Sequence, residues 1–373
     1  MNPSRPSNII VIGAGVVGCA VAWELARRGA AVRMLDGRLP AMGATQASAG
    51  MLAPFTESKD RNDAFLELAV RSLDLYDGFV KSVVSASGLP ISYQRTGTLE
   101  VATSREHMAE LEDLADRLRG RGVALRLLDA RAARAEEPHL SADVAGGLLI
   151  ETHGFVNAVE LTRALAMAAR CHAARAIEGQ ASRISRSPDG VVVETSGGTL
   201  SADAVVLAAG SWSAQLEIDG VSRPPVRPVR GQLLHLAWRG SRLRRVLWGE
   251  RCYLVPWPDG TLLVGATMEE VGFDERTTAG GVQGLLEAAC ALVPGAADAG
   301  FLSARAGLRP GSPDAMPVIG PSLAMDGLVY ATGHFRNGVL LAPVTAQLVA
   351  DAMLSGRIDP ALDAVGPQRF EGL

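Results

Sequence analysis

Cysteine is scarce in this sequence, and its distribution excludes two kinds of site. Four cysteines occur among 373 residues, at Cys19, Cys171, Cys252 and Cys290. None of them forms a C-x-x-C pair, which argues against a structural zinc site and against a thioredoxin-like redox pair. We therefore expect reduced thiols in a cytoplasmic protein, and we predict no bound metal.

A strong excess of one charge and a long apolar run are also missing. The 36 basic residues are scattered and the formal net charge is only −4, so nothing indicates nucleic acid as a partner. The apolar run over residues 9–23 contains three glycines, and it is shorter than the roughly 20 residues that cross a bilayer. Glu24 follows it instead of a small-residue cleavage site, so it does not resemble a signal peptide. We predict no membrane span.

What the sequence does contain is an alternating strand–helix texture in three separate places. Residues 8–36 read as strand, turn, helix and strand, while "VVLAAGSW" and "GLVYATGHFRNG" each end a further buried strand. Between the last two, residues 224–267 contain short strands, two of them joined by the hairpin signal Asp259-Gly260. The pattern predicts an α/β fold in which a discontinuous Rossmann-like domain carries an inserted domain built on a mixed or antiparallel β-sheet. The predicted bounds are 1–88, 143–222 and 305–373 for the first domain, and 89–142 and 223–304 for the inserted one.

Helix ends are marked by residues with capping preferences. Ser104 and Asn157 are expected to cap the starts of two helices, and Gly29 to end the first helix in a left-handed conformation. The last long helix is predicted to begin at about Pro343.

A dinucleotide-binding fingerprint lies in the first strand–helix unit. Gly13 makes the tight turn, Gly15 lets the backbone approach a pyrophosphate, and Gly18 permits close packing of helix on strand. The start of the helix supplies N–H donors for the phosphates. Asp36 ends the second strand, where an acidic residue accepts hydrogen bonds from ribose hydroxyls. The adjoining residues Val16, Val17 and Gly37 complete this predicted cofactor set.

The segment after Asp36 favours FAD over NAD. "GATQASAGMLAP", residues 43–54, is rich in small residues and leads into a long helix rather than a third parallel strand. Such a loop can run along an extended cofactor. Two further strand ends, at Gly210 and Gly333, lie where ligands sit in α/β sheets, and we expect both to contact the cofactor.

Five motifs together resemble the D-amino-acid-oxidase-like FAD flavoproteins: "GAGVVG", "ASAGMLAP", "CYLVPWPDGTLLVGATME", "AGLRPG" and "GHFRNGVLLAP". Within that family the sequence is similar to the glycine oxidases of thiamine biosynthesis. The resemblance runs along nearly the whole chain. It implies non-covalent FAD, since no cysteine stands near "AGLRPGSPD" where relatives with covalent flavin carry one. It assigns FAD to the discontinuous domain and the substrate to the inserted one, and it makes a homotetramer or homodimer plausible. The cofactor contacts it implies are Asp36, Ala44, Thr45, Ala49, Gly50, Met51, Ala181, His334, Phe335, Arg336, Asn337, Gly338, Val339 and Leu340.

The resemblance also implies a substrate site for a small amino acid. Arg309 matches the arginine that binds the substrate carboxylate, Tyr253 the tyrosine that assists it, and Met268 a methionine near the pocket. Arg336 matches a second arginine on the substrate side, so its anionic partner is either the carboxylate or the reduced flavin. Arg251 departs from the family pattern, which has histidine there, and this leaves the preferred substrate open.

The expected reaction is oxidation of glycine, sarcosine or a small D-amino acid to the imine, by hydride transfer to flavin N5, with O2 reduced to H2O2. No acid or base residue is needed if the amine binds uncharged. One alternative is a dehydrogenase of the same fold that passes electrons to a quinone or a partner subunit, as in D-amino-acid dehydrogenases or hydrogen cyanide synthase. The other is a non-catalytic flavin- or nucleotide-binding module.

Overall fold

The computed structural model describes residues 6–57 and 63–373, so residues 1–5 and 58–62 of the predicted range 1–88 lie outside the described residues. Its α-helices are α1 Val16–Arg27, α2 Pro54–Glu57, α3 Asp63–Ser87, α4 Arg105–Arg119, α5 Ala130–Glu136, α6 Ala158–Cys171, α7 Ala279–Leu292, α8 Gly338–Ser355 and α9 Leu362–Val365. Short 3-10 helices cover Ala44–Ala47, Gly210–Gln215, Pro294–Asp298 and Pro367–Arg369.

The strands are short and numerous. They are β1 Asn8–Ile12, β2 Ala31–Asp36, β3 Met51–Leu52, β4 Tyr93–Gln94, β5 Thr98–Ala102, β6 Leu125–Asp129, β7 Gly146–Ile150, β8 Gly154–Val156, β9 Arg175–Glu178, β10 Ala181–Ser187, β11 Gly190–Thr195, β12 Gly198–Ala202, β13 Ala204–Leu207, β14 Glu217–Ile218, β15 Arg227–Ala237, β16 Val246–Trp248, β17 Tyr253–Pro256, β18 Thr261–Gly265, β19 Gly300–Gly311, β20 Val318–Pro321 and β21 Leu328–Thr332.

A six-stranded sheet forms the frame of the cofactor half. Its order is β20-β21-β13-β1-β2-β9, and all neighbours are parallel except the β20–β21 pair. Both faces of β1 are covered. Ile9 and Val11 pack into the core with α1, α3, α6 and α8, whereas Ile10 and Ile12 pack against the small sheet β12-β11-β10-β14. This double burial explains the uninterrupted apolar sequence of β1, and the predicted α/β fold class is confirmed.

A mixed sheet of eight strands forms the second half. Its order is β19-β15-β18-β17-β16-β5-β7-β6, and only the β16–β5 pair is parallel. Helices α4, α5 and α7 pack on this sheet through two apolar clusters. The sheet is the mixed, mainly antiparallel structure expected for the inserted part of the chain.

The predicted domain bounds stay a prediction, and two strands of the eight-stranded sheet, β7 and β19, depart from them. β19 runs across the bound between residues 304 and 305. β7 lies inside 143–222, which was assigned to the cofactor domain, yet it is paired with β5 and β6 in the eight-stranded sheet. A boundary at residue 143 is misplaced because it separates β6 from β7, which are paired antiparallel neighbours.

The start of α8 was predicted wrongly. The helix begins at Gly338, five residues before Pro343, which lies inside it. Proline has no N–H to donate to the carbonyl four residues earlier, that of Val339. The hydroxyl of Tyr76 on α3 donates to that carbonyl instead, and Ser72 donates to Leu340 O at 2.6 Å. The neighbouring helix therefore supplies the hydrogen bond that the proline removes.

Among the described residues one helix, α8, is long and apolar enough to cross a membrane by length and composition. In the fold, 72% of that window is buried inside the protein. Its apolar surface is accordingly used in packing against α1 and α3.

Candidate active site

A cavity of about 1300 Å³ extends from the carboxyl ends of the parallel strands to the eight-stranded sheet. Its cofactor end is lined by residues that follow β1, β2, β13 and β21, and its other end by residues of β17 and β19. Pockets for a single small molecule usually measure roughly 300–1,000 Å³. This cavity is therefore large enough for an extended cofactor together with a small substrate.

The glycines of the fingerprint have distinct roles. Gly13 has φ +111°, and a Cβ there would lie 2.3 Å from Ala208 O. Gly18 faces the turn, since its Cβ would lie 2.0 Å from Gly13 O. Gly15 is open towards the cavity, with Thr45 Oγ1 at 3.6 Å as its single near neighbour. Gly13 and Gly18 thus build the turn, and Gly15 leaves space in front of it.

The start of α1 presents donors without a protein side chain to cap them. Gly15 is the N-cap residue, no side-chain cap bond is made, and the first turn holds no acidic residue. Val16 N donates to Thr45 Oγ1 at 3.2 Å, which ties the loop over residues 43–51 to the helix start. A positive helix end without a carboxylate suits a phosphate group.

Asp36 lies at the same end of the cavity, at the end of β2. Its carboxylate accepts from Ala14 N at 2.6 Å and from Arg38 N at 2.8 Å, which fixes it beside the glycine turn. Arg38 also places its guanidinium 4.6 Å from the centre of the Trp212 ring. This set of groups fits the ribose and phosphates of a dinucleotide such as FAD, because the acid, the open glycine and the uncapped helix converge.

The 43–51 loop closes the middle of the cavity. Gly50 has φ +69°, and a Cβ there would lie 1.7 Å from Val156 O, so no other residue fits without movement. Ala44 and Ala47 pack against Gly307 of β19. Small residues are required here because this loop is held between β8 and the eight-stranded sheet while it lines the cavity.

The substrate end is built on facing strands of the eight-stranded sheet. Arg309 on β19 donates from Nη1 to Thr267 O at 3.0 Å, and its guanidinium fills the space above Gly231. The ring of Tyr253 on β17 lies against Gly265. Within residues 6–57 and 63–373, no carboxylate accepts a hydrogen bond from Arg309.

Burial affects both groups. It lowers the pKa of the Arg309 guanidinium, and the positive charge of the neighbouring Arg336 lowers it further. Tyr253 and Glu57 raise this pKa, but they do not outweigh the other two effects. Burial raises the pKa of Tyr253 to about 12, and Glu57 contributes in the same direction. Arg309 and Arg336 lower this pKa by a smaller amount. Tyr253 is therefore a neutral hydroxyl donor at physiological pH, and Arg309 is a cation in need of an anion.

Arg336 meets an anion that the sequence did not reveal. Its Nε lies 3.4 Å from Glu57 Oε2, and the Glu57 side chain is only 6% exposed. The guanidinium of Arg336 also lies 5.9 Å from the centre of the Trp248 ring. Neither alternative stated for Arg336 included a protein carboxylate, because Glu57 is 279 residues away in the chain.

An ion-pair network around the buried Arg230 lies next to the residue that Arg309 contacts. Arg230, with a side chain 4% exposed, pairs with Glu269 at 2.5 Å and with Asp274 at 2.9 Å. Glu269 accepts from Thr267 Oγ1 at 2.5 Å, and Thr267 O accepts from Arg309. The network therefore fixes the carbonyl that orients the guanidinium.

The cavity histidine is not suited to proton transfer. His334 is 3% exposed, its Nε2 lies 3.0 Å from Thr345 Oγ1, and burial lowers its pKa to about 3. It is a neutral, hydrogen-bonded residue. No cluster of His, Cys, Asp and Glu arranged for a metal ion occurs in the part of the chain that the structure describes.

Most predicted site residues line this one cavity. They are Gly13, Gly15, Val16, Val17, Asp36, Gly37, Ala44, Thr45, Ala49, Gly50, Met51, Ala181, Gly210, Tyr253, Met268, Arg309, His334, Phe335, Arg336, Gly338 and Val339. Four predicted cofactor residues lie behind the lining: Gly18, Gly333, Asn337 and Leu340. Gly333 has φ +72° and shapes the turn after β21. Met268 is 61% exposed, at the mouth.

Several lining residues were missed by the sequence analysis, including Glu57, Arg38, Trp212, Trp248 and Thr267. Trp248 pairs directly with Tyr253 across the β16–β17 hairpin, and the rings lie 5.6 Å apart. The hairpin register could have revealed this residue. No local pattern indicates the others.

The chain matches one family of known proteins along most of its length and is similar to several proteins and to a solved structure. The profile of the DAO family, described as FAD dependent oxidoreductase, matches residues 8–352. Glycine oxidase of Geobacillus kaustophilus is 34% identical over 347 residues, which are 92% of this chain and 92% of that protein. The crystal structure of glycine oxidase from Geobacillus kaustophilus has a TM-score of 0.93 with 34% identity, covering 99% of this chain and 100% of that one. The bifunctional protein ThiO/ThiG of Synechocystis sp. is 34% identical over 372 residues, which are 98% of this chain but 54% of that longer protein.

Proposed function

This chain belongs to the DAO family of FAD dependent oxidoreductases. We propose that it oxidises the amine of glycine, sarcosine or a small D-amino acid. The observation that carries the proposal is Arg309, a cation in the cavity with no carboxylate bonded to it among the described residues, beside the neutral hydroxyl of Tyr253. An amino-acid carboxylate is the anion that this pair fits, since a guanidinium binds it bidentately and a phenol adds one further donor.

FAD would be held mainly through backbone and small side chains. Gly15 and the start of α1 suit the pyrophosphate, Asp36 the ribose, and the 43–51 loop the extended middle of the cofactor. When bound, FAD supplies the chemistry by accepting two electrons from the substrate and delivering them to O2.

The protein's own residues would orient the substrate. Arg309 and Tyr253 hold the carboxylate, which fixes the α-carbon next to it. The α-carbon loses a hydride and the nitrogen a proton, giving the imine, which water hydrolyses to an oxo acid and ammonia. Since His334 is neutral and hydrogen-bonded to Thr345, the proton passes to solvent and the amine reacts uncharged. We therefore expect kcat/KM to rise with pH as the substrate ammonium deprotonates.

Three wider expectations are also proposals. A homo-oligomer is supported by the resemblance, and a cytoplasmic location by the four free cysteines. A role in thiamine biosynthesis is supported by likeness to the ThiO part of ThiO/ThiG. Size-exclusion chromatography with light scattering tests the first of these directly.

The test of the proposed function is oxygen consumption by the purified holoprotein. We expect glycine to drive O2 uptake with one H2O2 released per O2. Oxidation of glycine that requires a quinone or dye and consumes no O2 would identify the dehydrogenase alternative instead. No oxidation with any acceptor, over a panel of glycine, sarcosine and D-amino acids, would overturn the proposal.

A further inference from the structure

The substrate end of the cavity holds more positive charge than one carboxylate needs. Three guanidinium groups line it, those of Arg251, Arg309 and Arg336. Arg336 is engaged by Glu57 at 3.4 Å. The remaining two, Arg251 and Arg309, form no ion pair with any residue in the ranges 6–57 and 63–373.

Arg251 is held in place by a tight turn. It lies between β16 and β17, where Gly249 N donates to Cys252 O at 2.8 Å and Trp248 pairs with Tyr253. Its side chain is exposed at the cavity lining, two residues before Tyr253. The turn therefore presents a solvated cation at the mouth, while Tyr253 and Arg309 lie deeper.

The adjacent acid does not neutralise this cation. Glu250 is turned towards α4, where its carboxylate lies 3.1 Å from His107 Nδ1 and 3.1 Å from Thr103 Oγ1. Glu250 lines the main cavity and also a second, smaller cavity of about 280 Å³ beside α4. Because its carboxylate is bound by His107 and Thr103, Glu250 forms no ion pair with Arg251.

We propose that Arg251 binds a second anionic group of the substrate, so that the preferred substrates are amino acids with a second carboxylate, of which iminodiacetate is the simplest secondary amine. This inference rests on the proposed function and specifies its substrate class. One carboxylate binds Arg309 and Tyr253, and the other extends to the mouth and binds Arg251. The balanced reaction converts iminodiacetate, O2 and water to glyoxylate, glycine and H2O2. One methylene loses a hydride, the nitrogen loses a proton, and water cleaves the imine.

The discriminating pair of substrates is iminodiacetate and its mono-amide, which have nearly the same shape and differ by one negative charge. In the wild-type holoprotein we expect kcat/KM to be roughly three- to tenfold higher for the dianion, as for a partly exposed charge pair. Arg251→Gln should remove that preference and Arg251→Lys should keep most of it. Arg163→Gln, an equal charge change on the exposed face of α6, should leave the ratio unaltered.

A binding measurement removes turnover from the comparison. Diglycolate has the shape and both charges of iminodiacetate but no amine, so it cannot be oxidised. We expect isothermal titration of the holoprotein to give a Kd for diglycolate that rises severalfold in Arg251→Gln and rises with added salt in the wild type. Methoxyacetate, with one charge, should show neither change.

The two proposals fail in different ways. If the wild type oxidises glycine but does not prefer the dianion, or if Arg251→Gln leaves the preference and the diglycolate Kd unaltered, the role of Arg251 is wrong and the proposed function stands. If no amine is oxidised while diglycolate still binds through Arg251, the site is an anion site and the proposed function is wrong.

Discussion

The two ends of the cavity are built from different kinds of group. At the cofactor end, the lining is mainly backbone and small side chains, together with Asp36, Arg38 and Trp212. At the substrate end it is charged and aromatic, with three arginines, Glu57, Trp248 and Tyr253 brought together from distant parts of the chain. One end is therefore defined by the geometry of the glycine turn, in which Gly13 and Gly18 have no room for a side chain, and the other by side chains that can be exchanged one at a time. Substitutions at the cofactor end should therefore affect folding and FAD binding, and substitutions at the substrate end should affect the kinetics with amino acids.

The largest effect is expected from the glycine turn. Gly13→Ala places a Cβ 2.3 Å from Ala208 O at φ +111°, which should cost at least about 3 kcal/mol and prevent recovery of folded holoprotein. Gly15→Ala is the matched control, because its Cβ meets only Thr45 Oγ1 at 3.6 Å. It should fold with the thermal stability of the apoprotein but bind FAD more weakly, as measured by fluorescence titration. Normal FAD affinity in Gly15→Ala would show that this glycine does not face the cofactor.

The second largest effect is expected from Arg309, whose replacement should change the substrate kinetics without changing FAD binding. Arg309→Ala removes the cation proposed to bind the carboxylate, a loss of roughly 2–3 kcal/mol or about 30- to 150-fold in kcat/KM. FAD affinity should stay unchanged, because Arg309 belongs to the substrate end. Steady-state kinetics with glycine and a flavin titration of the same preparation check both statements. A wild-type KM in this variant would refute the role given to Arg309.

The network behind Arg309 should have a smaller and pH-dependent effect. Burial raises the pKa of Glu269, but hydrogen bonds from Arg230, Thr267 and Gln232 outweigh it and leave that pKa lowered. A lowered pKa in the folded state contributes stability above the unfolded pKa of about 4.3, and this stability is lost as pH falls through the folded value. Glu269→Gln should lower the free energy of unfolding at pH 7 by roughly 2 kcal/mol. The difference from the wild type should shrink in urea titrations performed at progressively lower pH, and a constant difference down to acid pH would contradict this role.

The smallest effect is expected at the phenol. Tyr253→Phe removes one hydroxyl donor and leaves the ring against Gly265. We expect KM for glycine to rise by roughly five- to tenfold, the effect of one hydrogen bond, with little change in kcat. Because the pKa of Tyr253 is about 12, the pH profiles of variant and wild type should be parallel between pH 6 and 9. A profile that changes shape would mean that Tyr253 titrates during turnover.

The same contrast explains what could be predicted from the sequence. Gly13, Gly15, Asp36 and Gly210 are encoded by local spacing, so their positions at the cavity could be predicted from short motifs. Gly18 and Gly333 come from the same motifs but lie behind the lining. The fold class followed from where buried strands alternate with helices. The start of α8 could not be predicted, since Pro343 is tolerated only because Tyr76 of another helix donates to Val339 O.

The substrate end depends on contacts between residues far apart in the chain. Arg309, Tyr253 and Met268 could be proposed only through a resemblance to a family, and their roles stay predictions. The pairing of Arg336 with Glu57 has no local signal, because the two residues meet only after α2 packs near the start of α8. The Arg230–Glu269–Thr267 support for Arg309 was equally invisible, as it joins β15 to the loop after β18.

The central claim is that this one cavity holds FAD and an amino acid together. Anaerobic mixing of the yellow holoprotein with glycine, or with iminodiacetate, tests this directly. The measurement is the loss of the visible absorbance of oxidised flavin as the substrate reduces it. We expect full bleaching in the wild type and bleaching in Arg309→Ala only at far higher substrate concentration. Flavin that stays oxidised with every amino acid tested, in a protein that binds FAD normally, would contradict it.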